Sequence, residues 1–204
     1  SATVTLNGSG NQTLSQNAAI FNNLVVSGGG IKTLSGSSIT VSGDVSILSA
    51  TLDGSSQNIS VAGNWTANGA FTPGTGTVTF SGTSGGQIIS GTSVTTFFNM
   101  NNNNTSGTPL ALGSAQNLAG TLTLAANSKF SVNGQTFTLK SDASGTGRIA
   151  EAPASATFTG NITMERYIDG PPATGGWRMF GSAVSNGGGM PVSPILISPQ
   201  EVDQ

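Results

Sequence analysis

The acidic side chains are the residues of this chain best suited to chemistry, because the sequence contains no cysteine and no histidine. Thiolate or imidazole metal sites, disulfides and histidine-dependent catalysis are therefore excluded. Two carboxylates, Asp44 and Asp53, can approach each other on neighbouring turns of a repeated fold and act as a general acid and base. The first 141 residues otherwise carry only Lys32, Lys129 and Lys140 as charged groups. Because Asp53 begins an ordinary Asp-Gly turn sequence, we predict that the protein is not an enzyme and holds no cofactor.

A Thr-x-Thr pattern is the second feature that could bind a ligand, and it recurs at residues 3–5, 77–79, 121–123 and 136–138. Outward threonines stacked in regular rows can order water and bind ice. Threonine also favours strands and keeps an uncharged strand face soluble, which is the interpretation we prefer. Four of these threonines are candidate surface-binding residues: Thr77, Thr79, Thr121 and Thr123.

Aromatic side chains offer platforms on which sugar rings can stack, and Trp65, Phe71, Tyr167 and Trp177 are the candidates. Trp65 follows the alternating apolar residues of a predicted strand, so we place it in the core. Trp177 lies beside an arginine after a Gly-Gly turn, and we keep it as a candidate for polysaccharide binding.

The charge content excludes two classes of partner. Only 7% of the residues are charged, against roughly 25% in an ordinary soluble domain. A net charge of −2 leaves no basic surface for nucleic acid and no polybasic patch for a membrane. No apolar run approaches the roughly 18 residues that span a bilayer.

The elements that would position these side chains repeat along the chain. The string TVTL at position 3 returns as TVTF at position 77, and NI-x-V near position 60 has its counterpart in TF-x-L near position 138. Between these two pairs of strings the offset rises from 74 to 78 residues, as small loop insertions would produce. The second copy replaces Asp44 by Thr121 and Asp53 by Asn133, so the two carboxylates are not a repeated feature. Internal repetition of this length indicates a solenoid.

Apolar and small polar residues alternate in short bursts throughout both copies, which predicts strands with one buried face. Pairs such as Asn-Gly and Gly-Gly separate the bursts and tolerate the positive φ of tight corners. A sandwich or barrel of hairpins also fits many short strands. Because the bursts recur about every 20 residues, the length of one three-sided turn, we favour an all-β parallel solenoid of six or seven turns. Asparagines at the corners are expected to stack in ladders between turns.

A change in composition divides the chain. Residues 1–141 contain five charged side chains and residues 142–204 contain nine. We predict a solenoid over 1–145, with copies over about 2–75 and 76–141. Residues 146–204 are predicted to form a small antiparallel β unit, in which a strand over 157–168 pairs with a return strand over 177–184 before a loop-rich tail.

Three strings carry a resemblance to a known family: GNWTANGAFTPGTGTVTFSG, QIISGTSVTTFFNM, and NITMERYIDG followed by GWRMFGSAVS. They resemble the repeats of large secreted and cell-surface β-helix proteins of the Bacteroidetes, many of them exported by the type IX secretion system. The resemblance covers residues 1–185 and implies a surface location, a scaffold, stalk or adhesive role, and no catalytic residues. It also implies a C-terminal sorting domain that this chain does not contain, so we expect the chain to be part of a longer protein.

The sequence therefore predicts an extracellular structural or adhesive scaffold module of a bacterial surface protein. A polysaccharide-binding or ice-binding module on one solenoid face is the alternative. The first strand has no charged residue, proline or helix to cover its open edge. We accordingly expect partners to be further copies of the chain, neighbouring domains or surface proteins, or a glycan.

Overall fold

The structure is a computed structural model that describes residues 2–167 and the backbone of one further strand pair. The chain divides into two units, Ser1–Tyr167 and Ile168–Gln204. In the second unit, Met179–Phe180 pairs antiparallel with Ile195–Leu196. The described part of the first unit is a parallel β-solenoid of about eight turns, rather than the six or seven that strand spacing alone predicts.

Each complete turn contributes three short strands, which are numbered here in chain order. The first four turns contain β1 (Val4–Leu6), β2 (Gln12–Gln16), β3 (Ile20–Phe21), β4 (Leu24–Val26), β5 (Ile31–Gly36), β6 (Ile39–Val41), β7 (Val45–Ile47), β8 (Thr51–Asp53), β9 (Ile59–Val61), β10 (Trp65–Ala67), β11 (Ala70–Thr72) and β12 (Thr77–Phe80). The later turns contain β13 (Gln87–Ser90), β14 (Thr95–Phe97), β15 (Asn99–Asn102), β16 (Leu110–Leu112), β17 (Gln116–Leu118), β18 (Thr121–Leu124), β19 (Lys129–Ser131), β20 (Phe137–Leu139), β21 (Ser141–Asp142), β22 (Gly145–Thr146), β23 (Arg148–Ile149), β24 (Thr157–Thr159) and β25 (Thr163–Met164).

The strands of successive turns stack in register and form three faces. Face A is the eight-stranded sheet β1-β4-β7-β10-β13-β16-β19-β24, and face C is the seven-stranded sheet β3-β6-β9-β12-β15-β18-β23. Face B consists of two four-stranded sheets, β2-β5-β8-β11 and β14-β17-β20-β25. With strands about 4.8 Å apart, eight turns give a stack about 34 Å long.

The core fills the space between the faces, because every second residue of each strand points inward. On face A, one inward column runs through Leu24, Val45, Trp65, Ile89 and Leu112, all fully buried. Each such aliphatic side chain contributes about 1.5–3 kcal/mol on burial. The core is continuous across the division of face B, since aromatic rings from β11 and β14 contact each other there.

An asparagine and aspartate ladder runs along the corner that leads into face A. The Asp44 N–H donates to Oδ1 of Asn23 at 2.8 Å, and the Asn64 N–H donates to Oδ1 of Asp44 at 2.7 Å. The Ile88 N–H continues the series by donating to Oδ1 of Asn64 at 2.9 Å. Each side chain thus satisfies a backbone donor of the next turn, which confirms the predicted stacking of asparagines between turns.

The two sequence copies lie on different faces. The second copy begins eleven strands after the first, so that β1 corresponds to β12, β7 to β18 and β9 to β20. Eleven strands make three full turns and two further faces. Val45 and Ile47 therefore belong to face A, whereas their counterparts Leu122 and Leu124 belong to face C. All four side chains are buried, as predicted, but the second copy is rotated by one face about the solenoid axis.

The solenoid ends later than the composition predicts. The strands β23, β24 and β25 pair in parallel with β18, β19 and β20, so stacking continues to Met164 rather than ending at residue 145. The strand predicted over 157–168 is two short strands on two faces. The predicted return strand over 177–184 includes Met179–Phe180, which pairs with Ile195–Leu196 instead; its other residues lie outside the described part. Five of the nine charged side chains after residue 141 lie in the described end of the first unit: Asp142, Arg148, Glu151, Glu165 and Arg166. The rise in charge at 142 therefore does not mark the end of the solenoid.

A small hairpin interrupts the seventh turn. The strands β21 and β22 pair antiparallel between β20 on face B and β23 on face C. Asp142 turns the chain by accepting hydrogen bonds at Oδ1 from the N–H groups of Ser144 (2.7 Å) and Gly145 (3.2 Å). In the described part of the solenoid this is the one antiparallel insertion.

Candidate functional site

The four candidate threonines all project outward from face C, in two neighbouring columns. Thr77 and Thr121 share one column, and the register places Asn99 between them. The second column holds Thr79 and Thr123 with Asn101 between them. The threonine pairs are therefore two turns apart, about 9.6 Å at the usual strand spacing. Face C does not present a regular row of threonines from neighbouring turns.

The candidate aromatic residues do not form a surface platform among the described residues. Trp65 is fully buried, as predicted, and packs edge-on against Phe71 with ring centroids 4.9 Å apart. It also contacts Phe97 at 5.5 Å. Tyr167 is half exposed, and Trp177 lies outside the described residues.

The charged residues of the first five turns have structural roles. Asp44 belongs to the corner ladder, and Asp53 accepts the Ser55 N–H at 2.9 Å to close a turn. Lys32 points into the solenoid, where its Nζ donates to the carbonyls of Gly8 at 2.7 Å and Gly10 at 2.6 Å. Asp44 directly precedes β7 and Asp53 ends β8, so both lie in one turn and not on adjacent turns as the pairing hypothesis requires.

A groove at the corner between faces B and C is the candidate site. It has a volume of about 320 Å³ and extends over the fifth, sixth and seventh turns, with the hairpin β21–β22 as one wall. Its lining combines hydroxyl, amide and charged groups with one aromatic ring: Phe98, Asn99, Thr121, Lys140, Asp142, Ser144, Thr146 and Arg148, together with Ala119, Gly120 and Gly145.

The floor of this groove is the end of a face C column. Arg148 on β23 stands beside Thr121 on β18, and Thr121 stands beside Asn99 on β15. Asn99 is held in place because its Oδ1 accepts the Thr121 N–H at 3.0 Å. One predicted binding residue, Thr121, therefore lines the groove, whereas Thr77, Thr79 and Thr123 lie elsewhere on face C.

The wall of the groove is fixed by contacts with the last turn. Glu165 pairs with Lys140, and its second carboxylate oxygen accepts the Ser141 N–H at 3.2 Å. The hydrogen bond from Lys140, followed by that from Ser141, lowers the pKa of Glu165 below its ordinary value. Ser141 Oγ also lies 2.7 Å from Thr146 Oγ1 and accepts the Tyr167 N–H at 3.0 Å.

Arg148 is the least engaged cation of the groove. Its side chain is exposed, and among the described residues it makes no ion pair or hydrogen bond. Asp142 uses only Oδ1 in its turn, so Oδ2 faces no donor in the described part of the chain. The groove can therefore offer a guanidinium fork, a carboxylate oxygen and hydroxyl groups to a ligand.

Sequence reasoning missed Lys140, Asp142 and Arg148 as members of one site. The available signal was the rise in charge at 142, which we interpreted as a domain boundary. The turn sequence from Asp142 to Gly145, which interrupts the regular spacing of the strands, was the signal that could have indicated an inserted hairpin.

Among the described residues, the structure contains no helix of the length and hydropathy required to cross a membrane. The same residues include no cluster of three or more acidic side chains that could bind a metal ion. Comparison of the chain with protein-family models, curated proteins and solved structures gave no match.

Proposed function

We propose that this chain is an extracellular structural module of a bacterial surface protein, acting as a rigid scaffold. The observation that carries the proposal is the continuous solenoid from Val4 to Met164, whose core runs through about eight turns without interruption. Stacked parallel strands hold a fixed length without disulfides or metals, since each turn buries the open face of its neighbour. The surface location rests on the resemblance to secreted β-helix repeats.

The charge distribution supports a non-enzymatic role. Asp44 and Asp53 are engaged in backbone hydrogen bonds, and Lys32 is buried against two carbonyls. The outward columns instead carry threonine, serine and asparagine, which suit an inert, soluble rod wall. Further copies, neighbouring domains or other surface proteins are the partners of such a rod.

Polysaccharide binding is the second candidate, because the groove walled by β21 and β22 combines hydrogen-bonding groups with an aromatic ring. Ice binding has less support. The asparagines at positions 99 and 101 break both threonine columns of face C, so the regular spacing that ice requires is missing there.

A replacement experiment tests the structural role. In the natural protein, residues 4–80 are replaced by four turns of an unrelated parallel solenoid, which leaves the groove in place. Attachment of the producing cells to a solid surface is then compared with that of wild-type cells at equal surface display. A scaffold predicts unchanged attachment, because only length and stiffness matter. Lost attachment at normal display would show that the replaced faces bind a partner themselves, and would contradict the proposal.

A further inference from the structure

We infer that the groove between faces B and C binds a carboxylated saccharide, with Arg148 holding the carboxylate. This inference deepens the polysaccharide-binding candidate by naming the site and the ligand class. It does not depend on the scaffold role, since a rod can carry one binding groove on an otherwise inert wall.

The shape of the groove favours a small ligand. Its volume of about 320 Å³ lies at the lower end of the roughly 300–1,000 Å³ range of small-molecule sites. The hairpin β21–β22 forms one wall, and the groove is partly open to solvent. Such an opening lets a sugar within a longer polymer enter while the rest of the polymer leaves the groove.

The lining favours a sugar over a peptide. Thr121, Ser144 and Thr146 supply hydroxyl groups that both donate and accept, and Asp142 offers a free carboxylate oxygen. These groups match the vicinal hydroxyls of a sugar ring. The half-buried Phe98 is the one aromatic side chain of the lining, and its ring suits the C–H face of a sugar ring. A peptide would require apolar anchor pockets or a strand edge to extend. The lining has one large apolar side chain, and β23, the edge strand of face C in the described part of the chain, is only two residues long.

Arg148 supplies the selectivity for a carboxylate. Its planar fork has two parallel N–H donors that match a carboxylate, and no protein acceptor among the described residues occupies them. The neighbouring Lys140 is already paired with Glu165, and Asp142 lies on the hairpin wall. An acidic sugar bound in the groove can direct its carboxylate to Arg148 and its hydroxyl groups to Asp142.

Isothermal titration calorimetry with three probes tests the inference: trigalacturonate, its methyl ester, and a peptide of three glutamates. We expect saturable binding of trigalacturonate and at least about tenfold weaker binding of the ester, as expected when a charge-assisted hydrogen bond is lost. Binding of trigalacturonate should also weaken at high salt. Equal binding of the ester, tighter binding of the peptide, or no binding of trigalacturonate would overturn the inference.

Matched variants locate the site. Arg148→Gln should weaken trigalacturonate binding at least about tenfold, and Arg148→Lys should restore it only in part, because an ammonium lacks the fork. Arg166→Gln removes the same charge from an exposed arginine outside the groove lining and should leave affinity unchanged. Amide shifts on titration should centre on Thr121 and Thr146. Equal loss in both glutamine variants would show non-specific charge attraction and would contradict the assignment.

Discussion

Gln12 and Gln87 occupy the same position in the two sequence copies and make the same contact on different faces of the solenoid. Gln12 Oε1 accepts the Gly8 N–H on face B, and Gln87 Oε1 accepts the Gly82 N–H on face A, both at 2.8 Å. The two copies therefore share a local contact, in which a glutamine side chain accepts a backbone N–H at a corner. They do not share a face of the solenoid. Because eleven is not a multiple of the three strands in each turn, equivalent residues of the two copies lie at similar corners but on different faces.

The corner ladder should tolerate loss of charge but not loss of its oxygen. Asp44→Asn keeps the acceptor for the Asn64 N–H, so we expect little change in the free energy of unfolding. Asp44→Ala removes that acceptor and should cost about 0.5–1.5 kcal/mol. Urea denaturation of the two variants measures the difference. Equal destabilisation by both would mean that the negative charge, rather than the hydrogen bond, stabilises the corner.

Trp65 should behave as a core residue. Trp65→Ala leaves a cavity beside Phe71 and Phe97 and should cost about 3–5 kcal/mol in unfolding free energy. Trp65→Phe should cost much less, because it retains most of the volume and removes a buried indole N–H that has no partner among the described residues. Chemical denaturation checks both values, and binding of trigalacturonate by the folded fraction should not change. An unaltered midpoint for Trp65→Ala would be incompatible with this packing.

Gly134 should be required for its backbone conformation alone. Its φ is +74°, and a Cβ added there would meet no atom within 4 Å. Gly134→Ala should therefore destabilise by about 1–2 kcal/mol through the left-handed conformation, and Gly134→Asn by less. Gly85→Ala is the control, since the same space is open there without a positive φ. Thermal melting that shows equal effects at both glycines would refute the conformational account.

The pair between Glu165 and Lys140 should make stability depend on acid pH. The folded pKa of Glu165 lies below its ordinary value of 4.5. The stabilisation that ionised Glu165 gives the folded state is complete above the ordinary pKa. It is lost as the pH falls through the lower pKa of the folded state. Glu165→Gln should therefore reduce the loss of stability between neutral and acid pH. Glu151→Gln, at an exposed carboxylate without an ion pair in the described residues, should not. If the free energy of unfolding fell equally at acid pH in the wild type and in Glu165→Gln, this linkage would be contradicted.

The fold follows from local patterns in the sequence. Alternation of period two, as in Ile59 to Val61, fixes which residues point inward, and asparagine or glycine marks the corners. The same alternation places Lys32 with Leu34 on the inner side of β5, so the burial of Lys32 was predictable. A buried lysine also requires acceptors for its ammonium group, and the carbonyls of Gly8 and Gly10 provide them.

The groove could not be predicted in the same way. It depends on how a hairpin of a few residues packs at a corner, and that packing is set by Glu165 and Tyr167, which contact Lys140 and Ser141 from the next turn. These contacts join residues about 25 positions apart in sequence. The rotation of the second copy was hidden for a related reason: an offset of 74 to 78 residues does not reveal how many strands it contains.

Labelling of intact cells tests the central claim, that this solenoid is displayed outside the cell. Antibodies raised against folded residues 2–167 are applied to cells that produce the natural protein, before and after permeabilisation, with an antibody against a cytoplasmic protein as control. The account predicts full labelling of intact cells and no gain after permeabilisation. Labelling that appears only after permeabilisation, in parallel with the cytoplasmic control, would contradict it.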